Sequence, residues 1–195
     1  GNGRVVLTAH SGRLAPAMAD TLPLDAKLTF QTEGHPAGIA HLDGAVTDPK
    51  GKRGYALSFG GSLGQLQAVH MFFPHAGLPQ VQNISVDGLV GGEGTLPLLQ
   101  ALHVRTGEAD LSSLVPGARL SRLTLDAANP DEALAVVLEG RLGAQSLSVR
   151  GSAGSLTQGA AVAQDPTHAT LPIDLVMTDG SSNLRLSGPL GGGHS

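Results

Sequence analysis

Three of the eight histidines in this 195-residue chain, His70, His75 and His103, are of the right type to hold a metal ion. Zinc requires three or four ligands in fixed geometry, usually with a short, recognisable spacing between some of them. His70 and His75 are close in sequence, but neither a cysteine nor an HExxH helix accompanies them, so they read as histidines of surfaces or turns. Nucleophilic catalysis would need a serine on a Gly-x-Ser-x-Gly elbow between a strand and a helix. Gly151-Ser152-Ala153-Gly154-Ser155 shares only the small residues of that motif and reads as a Gly-rich loop. Gly91-Gly92-Glu93-Gly94-Thr95 precedes an apolar run, where a phosphate loop would stand, yet it lacks the Lys-Ser/Thr of a Walker loop and the Gly-x-Gly-x-x-Gly of a dinucleotide fold. The adjacent carboxylates Asp131 and Glu132 fall in a polar turn, where water solvates both and neither is set up as a general acid or base. The expectation is a chain that is not an enzyme and has no metal site, no cofactor and no catalytic residue.

What remains is a pattern of elements. Alternating apolar and polar residues recur as Ala26-Lys27-Leu28-Thr29-Phe30-Gln31, Leu147-Ser148-Val149-Arg150 and Leu184-Arg185-Leu186-Ser187, each giving one oily and one wet face to a strand. Strands are expected over 5–9, 26–31, 39–46, 55–61, 65–73, 81–89, 120–127, 133–142, 145–151, 171–178 and 183–187. Asp131 and Glu132 could open a helix on propensity, but Val136-Val137 and the neighbouring strands favour β there. Asn129-Pro130-Asp131 is a turn signal, and Thr178-Asp179-Gly180-Ser181-Ser182 suits a hairpin connection. Leu98, Leu99 and Leu102 fall at helical spacing behind Pro97, so 96–102 reads as a short helix. A second brief turn is expected over 110–114, with Asp110 capping the backbone N–H groups that follow. The fold class is mainly β, an antiparallel meander with one or two short helices. The 96–102 helix would divide one sheet into two repeat-like halves, about 1–95 and 96–195, within a single β-rich segment.

Composition narrows the partners. The 28 glycines and 12 prolines suit many short strands and turns, and the 14% of charged residues is low against the roughly 25% of an ordinary soluble domain. A net charge of −4 with 12 scattered Lys and Arg argues against nucleic acid, and 3% aromatics leave no platform for stacking bases. The absence of cysteine removes thiol chemistry and disulfides. No apolar run reaches the 18 or so residues of a membrane span, and Gly1-Asn2-Gly3-Arg4 has no signal-peptide character. The chain therefore reads as a piece of a longer protein whose targeting segment lies upstream.

Eleven aliphatic residues stand out as candidates for contact with something oily. They are Leu134, Val136 and Leu138; Leu147 and Val149; Leu171, Ile173, Leu175 and Met177; and Leu184 and Leu186, each set sharing one face of its strand. Each such side chain removed from water contributes roughly 1.5 to 3 kcal/mol, whether its neighbour is protein or an acyl chain. The pattern alone leaves both core and lipid contact open.

A run of ordered phrases carries a family resemblance. His75-Ala76-Gly77-Leu78-Pro79-Gln80-Val81 leads into Ile84-Ser85-Val86; the apolar run 96–102 is followed by Thr106-Gly107-Glu108-Ala109-Asp110-Leu111-Ser112-Ser113-Leu114. Leu138-Glu139-Gly140 then leads through Leu147-Ser148-Val149-Arg150-Gly151 to Leu171-Pro172-Ile173-Asp174-Leu175, and the chain closes on Asn183-Leu184-Arg185-Leu186-Ser187-Gly188. This order, over about 57–190, resembles the AsmA-like family of bacterial envelope proteins. The resemblance implies a curved sheet with an apolar inner face, facing the periplasm in a parent protein anchored in the inner membrane. It implies a part in outer-membrane biogenesis, by carrying or organising phospholipid or another envelope lipid, and it supplies no catalytic residues. The competing reading is a structural or adhesive β-repeat segment of a secreted or surface protein, without a ligand. An excised sheet would also carry open edges, so edge-to-edge self-association is expected.

Overall fold

Residues that alternate in polarity gain most when every strand has its neighbour in register, because a slip of one residue would turn the oily face to water. The computed structural model describes residues 3–11, 21–32, 35–47, 54–66, 80–93, 98–112, 115–165, 168–180 and 182–191. Its strands are β1 (Gly3–Ser11), β2 (Thr21–Thr32), β3 (His35–Thr47), β4 (Gly54–Gln65), β5 (Gln80–Glu93), β6 (Leu98–Thr106), β7 (Ala109–Asp110), β8 (Ala118–Ala127), β9 (Ala133–Leu142), β10 (Gln145–Ser155), β11 (Thr170–Asp179) and β12 (Ser182–Gly191). One helix, α1 (Leu156–Gln164), stands between β10 and β11. All the described strands form one antiparallel sheet in chain order, with the two-residue β7 bridging β5 and β8 beside β6. The fold is thus mainly β, a single antiparallel meander with one short helix among the described residues.

Register joins the local alternations into two surfaces. One row crosses the sheet from β1 to β12 as Leu7, Leu28, Ala40, Gly61, Val86, Val104, Leu125, Val136, Gly151, Leu175 and Leu186, every member apolar or glycine. The row one residue along faces the other way and reads Thr8, Lys27, His41, Gly60, Asp87, His103, Asp126, Ala135, Ser152, Asp174 and Ser187. Single aliphatics such as Ile39, Leu89 and Val176 interrupt the polar face and stand exposed there.

Besides single register shifts at Phe30/Gln31, Leu89/Val90 and Ala153/Ser155, the alternation changes phase along a line that crosses β5, β7 and β8. Val81 and Ile84, and likewise Leu120 and Leu123, are three residues apart yet reach one cluster together with Ala109 and Leu138. Asn83, the one non-glycine residue with positive φ among the described residues, at 50°, stands on β5 between Val81 and Ile84, with the pairing to β4 in register on both sides of it. On β8 the pairing with β9 shifts between Leu120 and Arg122, a bulge of the kind that sharpens local bending. Between them, Gly107 and Glu108 interrupt β6 and β7, and the N–H groups of Gln82 and Gly107 donate across the interruption to the carbonyls of Glu108 and Gln82 at 2.8 and 2.9 Å. The three strands therefore crease together, and the crease holds three of the best-buried apolar residues, Val81, Ala109 and Leu120.

Two local expectations are corrected. Residues 98–102 form strand, not helix: Leu102 pairs with Gly88 and Ala127, and Ala101 with Leu89, so pairing on both sides outweighs the local spacing of leucines. The sheet accordingly runs without a break through the point where a helix was expected to divide it, while Leu96 and Pro97 lie outside the described residues. Gly151-Ser152-Ala153-Gly154-Ser155 is the end of β10 and not a loop. Ser155 caps α1: its hydroxyl accepts from the Gln158 N–H at 3.2 Å while the Gln158 side chain accepts from the Ser155 N–H at 2.9 Å. Thr157 ties the helix to the β8–β9 turn through the Pro130 carbonyl and the Asp131 carboxylate, placing α1 at one end of the sheet. In that turn the Asn129 side-chain oxygen accepts from the N–H groups of Asp131 and Glu132, as the turn signal anticipated. Asp110 likewise accepts from the Ser112 N–H at 2.9 Å. The expected strand over 67–73 lies outside the described residues.

Two glycines test this architecture in opposite directions. Gly151 has φ of +154°, and a Cβ there would run into the Asp174 carbonyl of the next strand; Gly159, inside α1, has nothing within 4 Å of an added Cβ. Gly151→Ala should lower the thermal midpoint, with a cost of about 1 to 3 kcal/mol, whereas Gly159→Ala should raise it by up to about 1 kcal/mol. Equal shifts would contradict the register at β10. The backbones of β1 and β12 are open edges among the described residues. Static light scattering should show apparent mass rising with concentration, and a monomer across a wide range would contradict edge pairing.

Candidate functional site

The eleven aliphatic candidates converge. Leu138, Val149, Met177 and Leu184 lie side by side across β9 to β12, and Val136, Leu175 and Leu186 lie in the parallel row through Gly151. Leu134 and Ile173 share a row through Ala153, Leu171 pairs with Leu190, and Leu147 lies opposite Gly140. All eleven therefore stand on one face. Their exposure is graded: Ile173 is buried at 8%, most of the others are half-buried, and Leu184 and Leu186 are 59% and 57% exposed. Leu190, also on this face and outside the candidate set, is 53% exposed.

The face is larger than those eleven residues. Leu7, Leu28, Leu42, Leu57, Val86, Val104 and Leu125 continue it through β1 to β8. The same period-two alternation marks them in the sequence, but only the pairing shows that their faces coincide with that of β9 to β12. Eleven strands at about 4.8 Å spacing, each some 30 Å long, give a face on the order of 1,500 Å². Contiguous apolar patches on soluble monomers rarely exceed about 300 to 600 Å². No second sheet lies over this one among the described residues, and no large side chain is fully buried. At the end of β9 to β12 the face deepens into a recess of about 280 Å³ lined by Leu142, Leu147, Met177 and Leu184 together with Gln145 and Asn183.

The opposite face carries the charge, and part of it is spent on pairs within the sheet itself. Arg122 and Arg150 both reach the Glu139 carboxylate, at 2.9 and 3.5 Å. Arg185 forks onto Asp174, its Nε and a terminal nitrogen donating to the two carboxylate oxygens at 2.8 and 2.6 Å. His103 meets Asp126 at 2.8 Å through Nδ1, while His70 and His75 lie outside the described residues. Among the described residues no three His, Cys, Asp or Glu side chains come together at metal-binding distance. Asp131 and Glu132 are exposed and accept hydrogen bonds from Thr157 and Asn129, so they hold turns together.

No protein-family model, curated protein or solved structure matches this chain.

The Arg185 fork holds the Asp174 carboxyl below the usual carboxylate range, chiefly through the hydrogen bonds, against a smaller opposing effect of desolvation. A carboxylate whose pKa falls on folding stabilises the fold fully above its unfolded pKa of about 3.9 and loses that contribution as pH drops through the folded value. In Arg185→Gln, NMR titration should show Asp174 returning upward toward the ordinary range. An unshifted Asp174 would mean that the fork does not persist in solution.

Proposed function

We propose that this chain is a lipid-handling segment whose apolar face receives the acyl chains of phospholipid or another envelope lipid. The observation that carries the reading is the unbroken row from Leu7 to Leu186, eleven strands wide, on a sheet without a second layer among the described residues. Leaving such a surface in water is costly. Each of the exposed leucines on β12 forgoes part of the roughly 1.5 to 3 kcal/mol that full burial would give, and an acyl chain supplies that burial without demanding a shape-matched protein partner. The graded exposure favours a surface in use over a closed core: Ile173 is sealed while Leu184, Leu186 and Leu190 are open.

Handling lipid in this way needs no catalytic group. The face holds by area, and the polar face keeps the assembly wetted from behind. Together with the resemblance to AsmA-like proteins, this supports a place in the periplasm, within a parent protein anchored in the inner membrane. There the segment would carry or organise lipid for outer-membrane biogenesis.

Native mass spectrometry with lipid extraction, on protein purified gently from a bacterial host, tests the reading. Phospholipid should co-purify at defined stoichiometry, and Leu184→Asp with Leu186→Asp should remove most of it while Arg185→Gln, on the other face, leaves it in place. Protein free of lipid under those conditions would make the segment structural, the ligand-free alternative.

A further inference from the structure

The crease that gathers Val81, Ala109 and Leu120 on the apolar side leaves a second feature on the polar side. A cavity of about 550 Å³ opens there, lined by Gln82, Glu108, Asp110, Arg119, Ser121 and Arg141. Arg119 and Arg141 are direct cross-strand partners in the β8–β9 pairing. Like charges directly opposite each other destabilise a sheet unless something negative lies between them.

Glu108 and Asp110 share the lining, but among the described residues no carboxylate comes within ion-pair distance of either arginine. Of the five arginines on β8 to β12, Arg122, Arg150 and Arg185 reach carboxylates within 4.0 Å, and Arg119 and Arg141 do not. Asp110 stands opposite Arg119 on its other side, but its carboxylate is turned to Ser112, whose hydrogen bonds are the main cause of its lowered pKa, with Arg119 acting only through space. The recess is therefore lined by two arginines without an ion-pair partner among the described residues, together with Ser121, Gln82 and the carboxylates of Glu108 and Asp110.

We propose that this recess is an anion site that takes a phosphate group between Arg119 and Arg141. Guanidinium forks match phosphate oxygens in pairs, and a phosphate bridging both would turn a repulsive cross-strand pair into an attractive one. The site lies on the face opposite the acyl-chain surface and is independent of the lipid reading.

The test is an NMR titration of the whole chain with inorganic phosphate and, separately, with glycerophosphoethanolamine, the deacylated headgroup. Saturable shifts should centre on the crease. Arg119→Gln and Arg141→Gln should each weaken binding roughly tenfold, as expected for the loss of a charge-assisted hydrogen bond. Arg150→Gln, whose arginine is already paired, should bind as the parent does, and so should Leu184→Asp. Binding of both probes, or of the headgroup alone, supports the site; the second outcome assigns it to lipid headgroups over free phosphate. Absence of saturable binding by either probe to a chain with its native β signal by circular dichroism would overturn it. So would equal loss in Arg150→Gln.

Discussion

A β-sheet must solvate or cover each of its two faces, and in this protein one of them is neither polar nor covered by a second described layer. Everything else follows from how that face is built. Period-two alternation makes each strand two-sided, antiparallel register aligns the sides, and Leu7 and Leu186 end up on the same surface although 178 residues separate them in sequence. An ordinary sandwich would answer with a second sheet. Here the whole described chain is spent on extending the first one, so width accumulates where thickness would normally form.

That choice explains the unusual division of labour between core and surface. Well-buried apolar residues are few and mostly small or gathered at the crease, where strands β5, β7 and β8 change phase together. Stability comes instead from backbone pairing and from half-burial spread over many leucines and valines. The polar face contributes through Arg122, Arg150 and Arg185 on Glu139 and Asp174, exposed pairs that add little individually. Glycines such as Gly151 and Gly61 keep the apolar row continuous where neighbouring backbones approach too closely for a side chain.

Much of this was legible in the sequence, because alternation is a local signal. The strands over 26–31, 133–142 and 171–178 and the shared face of Leu171, Ile173, Leu175 and Met177 all come from period two. What escaped has physical reasons. The leucines of 98–102 are compatible with a helix when read locally, and only the flanking partners β5 and β8 make them a strand. α1 lacks a strong apolar stripe and contains Gly159, so propensity hid it; the Ser155-x-x-Gln158 capping box was the one available clue. The crease and the Arg119–Arg141 pair depend on which residues meet across strands, and no short-range pattern encodes that.

If the apolar face contacts acyl chains and the polar face does not, contact alternates residue by residue along each strand. Photolabelling with a phospholipid carrying a diazirine in its acyl chain, followed by mapping of adducts by mass spectrometry, reads that alternation directly. Adducts are expected on Leu175, Met177, Leu184 and Leu186, with Val176 and Arg185 left unmodified. Adducts spread equally over both sets, or confined to the polar-face residues, would contradict it.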